Sequence, residues 1–165
     1  MKLEVDDVVV YRSHGIGRVT ARSKQVVLGE EQDVVVLELA GLTVTLPVPF
    51  AQTQLRQLMN AEELRFVGDA LRADCELSSR NWLSRRRETL EKLLGGTPVE
   101  LAEIVNEAAR REHQRSASGK GPVPPSERAT FTKARSLLSD ELALALDIEP
   151  LAAERWIDSR LPHPA

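Results

Sequence analysis

The sequence predicts an α+β protein, in which a small, strongly bent N-terminal β-sheet or half-open barrel precedes an all-α C-terminal bundle of about five helices. Two observations carry this. From Asp6 to about Gln57 the chain is rich in Val and Leu and is cut into short runs by Gly15, Gly17, Gly29 and Gly41, the punctuation of strands joined by turns. After Met59 the apolar residues recur at helical spacing and helix-start signatures appear. The expected division is therefore 1–58 and 59–165.

Four strands are expected, over Asp7–Arg12, Ile16–Arg22, Asp33–Leu39 and Leu42–Leu46. In Leu42-Thr43-Val44-Thr45-Leu46 the apolar residues alternate strictly, which buries one face and turns Thr43 and Thr45 outward. Asp33-Val34-Val35-Val36-Leu37 is apolar without alternation, as in a central strand covered on both faces. Ser13-His14-Gly15-Ile16-Gly17 reads as a bend between two strands. It is no phosphate loop, because no strand-glycine-helix unit surrounds it.

The first helix starts at Asn60-Ala61-Glu62-Glu63, an N-cap followed three residues later by Glu, with Leu64, Val67 and Leu71 as its apolar stripe. A second helix covers Arg80–Leu94 and is stopped by Gly95-Gly96. Thr97-Pro98-Val99-Glu100 combines an N-cap, a proline at the first helical position and the matching Glu, and starts a third helix with Leu101, Ile104, Val105 and Ala108 inward. Ser116–Pro125 has no apolar periodicity and is expected to be a loop. A fourth helix over about Ser126–Leu146 is expected to bury Phe131, Ala134, Leu137, Leu138, Leu142 and Ala145, and a short last one begins at Pro150. Trp156 is expected to anchor that last helix to the bundle.

Composition narrows the function classes. Met1–Val10 offers only Val8, Val9 and Val10 as an apolar run, and no stretch approaches the roughly 20 residues that span a bilayer, so a cytoplasmic location is expected. The lone Cys75 forms no internal disulfide, and its neighbours Asp74 and Glu76 oppose a reactive thiolate. His113 and His163 have no second ligand at metal spacing, so neither a metal site nor a cofactor is expected. Adjacent carboxylates such as Glu30-Glu31 and Glu62-Glu63 point to different sides of an element and make no catalytic pair, so no enzyme is expected.

The net charge of −3 gives no global sign of nucleic-acid binding, but its distribution does. Residues 80–92 hold five bases (Arg80, Arg85, Arg86, Arg87, Lys92) against two acids (Glu88, Glu91), a local net of +3. Within this segment Leu83, Leu90, Leu93 and Leu94 define an apolar stripe, and Trp82 lies at its margin in the first turn. Arg85, Arg86 and Arg87 follow one turn later. Guanidinium groups hold phosphates in a salt-dependent way, while a flat indole can wedge at a distorted minor-groove step, so binding would follow DNA shape more than base sequence. A tryptophan that caps the helical core beside a solvated arginine face fits the same spacing.

Longer strings of residues resemble a known family. Val5-Asp6-Asp7-Val8-Val9-Val10-Tyr11, His14-Gly15-Ile16-Gly17-Arg18-Val19, Leu37-Glu38-Leu39 and Leu42-Thr43-Val44-Thr45-Leu46-Pro47-Val48 resemble the polymerase-interacting N-terminal domain of CarD proteins, shared with transcription-repair coupling factors. Asn81-Trp82 with Arg85, Arg86, Arg87 and Leu90-Glu91-Lys92-Leu93, continued by Lys133-Ala134-Arg135 and Glu141-Leu142-Ala143, is similar to the CarD helical domain. The chain thus resembles the CarD/CdnL transcription regulators over roughly Lys2–Asp158.

The resemblance implies a Tudor/SH3-like domain at 1–58 that binds the β subunit of bacterial RNA polymerase, at a surface including Gln25, Thr43, Thr45 and Pro47. Some members carry arginine at the positions of Gln25 and Thr45, and at that of Ser84. It implies a helical domain at 59–165 that contacts promoter DNA at the upstream edge of the bubble through Trp82, Arg85, Arg86 and Arg87. Trp82 would prop the minor groove open and stabilise the open complex formed with the housekeeping sigma factor, and the protein would act as a monomer. The competing reading is a protein-binding adaptor whose sheet edge recruits a partner by strand addition without functional DNA contact.

Overall fold

The computed structural model describes residues 1–74, 76–77 and 80–162; the expectations for Cys75 and His163 lie outside the described residues. The architecture is α+β. The chain separates into two compact units, Met1–Leu58 and Met59–Ala165.

The N-terminal unit is a five-stranded antiparallel sheet: β1 (Val8–Tyr11), β2 (Gly15–Val27), β3 (Glu30–Leu39), β4 (Leu42–Pro47) and β5 (Leu55–Arg56), in the order β4-β3-β2-β1-β5. A single helix, α1 (Val48–Gln54), joins β4 to β5 and buries Ala51. Leu3, Val9, Val19, Val35, Leu37, Leu46 and Leu55 close the core around it. Val34, of opposite parity, is also wholly buried and Val36 half-buried, as the unbroken apolar run of β3 requires.

Several local expectations need correction. β2 runs to Val27 and β3 begins at Glu30, five and three residues beyond the expected strands, because pairing continues through polar residues, Lys24 with Asp33 and Gln25 with Gln32, out to Val27 with Glu30 in a long hairpin. Its turn is Leu28-Gly29 with φ of 52° and 84°, the two positive values of a type I′ turn. Gly17 does not bend the chain. It sits within β2, where the Leu39 side chain lies 3.1 Å from the position a Cβ would take; the bend is made by a 3₁₀ turn over Arg12–His14 and by Gly15 at φ 104°. His14 stacks on Tyr11 there, ring centroids 4.3 Å apart. Leu42 is exposed at the strand end despite its place in the alternating pattern. The short helix α1 was not expected, because Pro47-Val48-Pro49 looks like a helix breaker; Pro49 instead occupies the first turn, where its missing N–H is harmless.

The second unit comprises α2 (Ala61–Arg72), α3 (Trp82–Gly95), α4 (Pro98–Ala117), α5 (Pro125–Ala145) and α6 (Pro150–Arg160). The two capping boxes are as the sequence demands: Asn60 with Glu63, and Thr97 with Glu100. Val67, Leu71, Leu101, Ile104, Val105, Phe131, Ala134, Leu138, Leu142 and Ile157 form the core. Ala145 is exposed rather than buried, because α5 ends there and the chain turns away through Asp147 at φ 51°. α4 reaches Ala117, so the following loop is shorter than expected, and Val123 within it is buried as a plug in the core.

Polar side chains complete the bundle. Asn106, nearly inaccessible, donates its Nδ2 to the carbonyls of Ala70 and Ala73 at 2.9 and 2.8 Å, satisfying the C-terminal end of α2. The buried Glu141 carboxylate accepts the Met59 amide at 2.8 Å. Trp156 packs at the edge of the core and carries the Arg160 guanidinium 3.5 Å from its ring centroid.

Candidate nucleic-acid interface

The basic segment 80–92 forms most of α3. Asn81 caps it, its Oδ1 accepting the Ser84 amide at 2.9 Å, so the indole of Trp82 sits on the first residue of the helix. Gly96, left-handed at φ 63°, ends it. Trp82 is 40% exposed, and the Arg86 guanidinium lies 5.4 Å from its ring centroid. The inner side of the ring faces a narrow notch lined by Thr89, Ser126, Glu127, Thr130 and Phe131.

The expected apolar stripe is not what holds α3. No residue of the helix is fully buried, and Leu83 and Leu94 are 67% and 63% exposed; only Leu90 and Leu93 are half-buried. Two ion pairs also tie it to its neighbours. Arg85 Nη2 lies 3.7 Å from Glu127 Oε1 of α5, and Lys92 Nζ 2.9 Å from Glu103 Oε2 of α4. Burial pushes the Lys92 pKa down, but the hydrogen bond to Glu103 and the charges of Glu103, Glu107 and Glu88 more than offset it, so the net direction is upward.

The three basic candidates, Arg85, Arg86 and Arg87, therefore differ. Arg85 turns inward: its Nη1 donates to the Arg80 carbonyl at 2.9 Å, its side chain faces Glu127, and its Nε is buried without an acceptor. Arg80, which precedes the helix, pairs with Glu88. Arg86 and Arg87 are exposed, and with Trp82 and Leu83 they occupy a continuous sector of about 140° at 100° per residue. The outward patch is thus one indole, one leucine and two guanidinium groups.

The residues singled out in the N-terminal unit also converge. Cross-strand partners share a face, and the register pairs Thr43 with Glu38, Thr45 with Val36, Pro47 with Val34 and Gln25 with Gln32. Thr43, Thr45, Pro47 and Gln25 all lie on the face opposite Val35, Leu37 and Leu46. Thr43, Thr45 and Gln25 are exposed and Pro47 is half-buried, and β4 is an edge strand.

Family models divide the chain in the same order. Residues 3–60 match the CarD-like/TRCF RID domain, and residues 67–158, more than half the chain, match the CarD C-terminal domain. The chain belongs to the CarD/CdnL family. CarD/CdnL proteins are transcription-associated, RNA polymerase-interacting proteins, known as factors rather than enzymes. Among the described residues no helix is long and apolar enough to cross a membrane, and no cluster of His, Cys, Asp or Glu could hold a metal ion.

One charged feature of the CarD-type helical unit was not visible in the sequence. Arg111 and Arg115 of α4 and Lys120 of the following loop line the same pocket as Arg85. Arg111 is 8% exposed, and its Nε, like that of Arg85, is buried without an acceptor. These bases are spread over 36 positions and form no local run, so only the packing of α3 against α4 and α5 reveals them.

Proposed function

We propose that this protein is a transcription regulator that binds the β subunit of bacterial RNA polymerase through its N-terminal sheet and contacts the upstream edge of the promoter bubble through α3, stabilising the open complex formed with the housekeeping sigma factor. It acts as a monomer in the cytoplasm, brought to the nucleoid by polymerase. The observation that carries the reading is Trp82: a large ring, two-fifths exposed, fixed on the first residue of a capped helix and flanked by Arg86. A residue that served only to close the core would be covered. A rigid ring at a helix tip can occupy a widened minor groove while Arg86 and Arg87 hold the adjoining phosphates.

Few phosphates are within reach of two arginines, so the free protein binds DNA weakly, and docking on polymerase supplies the effective concentration that α3 lacks. The face carrying Gln25, Thr43, Thr45 and Pro47 is the docking surface of this reading. Its two threonines and one glutamine make that contact by neutral hydrogen bonds and apolar area rather than by charge.

The decisive experiment measures the lifetime of a promoter open complex with polymerase holoenzyme alone, with the protein, and with a folded Trp82→Ala variant. A lifetime lengthened by the protein and not by the variant is the expected result. If both lengthen it equally, the wedge is excluded. If neither does, the exposed edge of β4 favours the adaptor reading, in which a partner adds a strand to the sheet.

A further inference from the structure

Behind α3, the second half of α4, the loop after it and the first turn of α5 enclose a cavity of about 260 Å³. Arg85, Arg111, Arg115 and Lys120 line it with Gln114 and Ser118, and Glu127 is its only lining carboxylate. Glu107 lies just outside, accepting Arg111 Nη2 at 2.8 Å. Four cations face two carboxylates, an excess of two positive charges.

The donors are as telling as the charge. Arg111 is more than nine-tenths buried, yet its Nε has no acceptor, and the Nε of Arg85 is equally unmet. Buried guanidinium N–H groups ordinarily find partners. The rim is also shaped rather than loose: Arg115 Nε donates to the Gly121 carbonyl at 2.8 Å and the Lys120 amide to the Arg115 carbonyl at 2.9 Å, which folds the loop so that both bases stay at the mouth.

We propose that this cavity binds a phosphate group carrying about two negative charges. Such a group matches the excess charge, and its several oxygens can accept from more than one of the lining guanidinium and ammonium groups at once, which a carboxylate with two oxygens does less well. The cavity falls below the range of roughly 300–1,000 Å³ typical of drug-sized ligands, so it suits inorganic phosphate or the terminal phosphate of a diphosphate or nucleotide. Arg85 is assigned to this site. The inference does not rest on DNA contact by Trp82.

The test titrates inorganic phosphate, then pyrophosphate, into the full-length protein at constant ionic strength held with chloride, following the Nε–H signals of the arginines by NMR. Saturable shifts at Arg85 and Arg111 are expected, with affinity at least tenfold weaker in an Arg115→Gln/Lys120→Gln variant and unchanged in Trp82→Ala. The double variant alters only the mouth, so it tests the site without removing the buried Arg111. A short DNA duplex, whose phosphodiesters carry one negative charge each, is not expected to displace pyrophosphate; saturable displacement would overturn the assignment to a phosphate that carries about two charges. Shifts that never saturate, or that persist unchanged in the double variant, overturn the proposal.

Discussion

The guanidinium of Arg86 lies over the indole of Trp82, one turn further along α3 and 5.4 Å from the ring centroid. The pair belongs to the helix itself, so the ring is oriented within the protein. At an exposed site such an interaction is worth about 0.5–1 kcal/mol. Arg86→Ala is expected to shorten the open-complex lifetime without unfolding the protein. Because Arg86 and Arg87 would each hold one phosphate, Arg86→Ala should also reduce the salt dependence of complex stability by roughly one counterion, as a plot of log lifetime against log salt will show.

Glu141 carries the entry into the helical unit. Replacing it by Leu leaves the Met59 amide buried without an acceptor, at a cost of about 1–3 kcal/mol, whereas Glu141→Gln keeps an oxygen in place and should cost less. Urea denaturation followed in the helical signal distinguishes the two; equal losses would mean that the amide finds another partner.

The β2–β3 turn carries a removable strain. Leu28 is 99% exposed and held at φ 52°, a region that costs a side-chain-bearing residue roughly 1–2 kcal/mol and that asparagine tolerates best. Leu28→Asn should therefore raise stability by about 0.5–1 kcal/mol, read as a higher melting temperature of the N-terminal unit.

The tie between Lys92 and Glu103 gives α3 a pH signature. The folded pKa lies above the ordinary 10.5, so the native state holds the proton more tightly than the unfolded chain. The resulting stability is fully present below pH 10.5 and is lost as the pH rises through the folded value. Lys92→Met removes it. The gap in stability between the wild type and this variant should stay level from pH 7 to 10 and close above that, with exposed pairs of this kind worth roughly 0.2–1 kcal/mol.

Gly95 leaves room for the start of α4. A Cβ placed there would lie 2.5 Å from Glu100 Oε2, the carboxylate that completes the capping box with Thr97. Gly95→Ala should displace that carboxylate and weaken the cap, lowering the melting temperature of the helical unit by an amount comparable to Glu100→Ala. In the double variant the two losses should not add.

Where a residue's neighbours in sequence determine its state, the sequence was a good guide. Asn60 and Thr97 cap their helices because each is followed three residues later by Glu, and the apolar stripes of α4 and α5 point inward with the exception of Ala145. Strand ends were less legible, since Ser23–Gln25 and Glu30–Asp33 are polar and their pairing is decided across the hairpin. The patch at Trp82 could be read from composition, but its internal division could not. Arg85 meets Glu127, 42 positions away, on the face it shares with Thr89 and Lys92, while Arg86 stays exposed, and Leu83 and Leu94 of the leucine stripe are exposed as well. Arg111, Arg115 and Lys120 gave no local signal at all.

That α3 adds no wholly buried side chain to the bundle has an evolutionary consequence. A core helix is frozen by its neighbours, since each change of shape must be matched across the interface. α3 escapes this: Leu83, Arg86, Arg87 and Leu94 can vary without repacking α4 or α5, provided that the cap at Asn81 and the ties at Arg85 and Lys92 persist. The outward surface of α3 can thus drift in sequence while the scaffold beneath it stays the same.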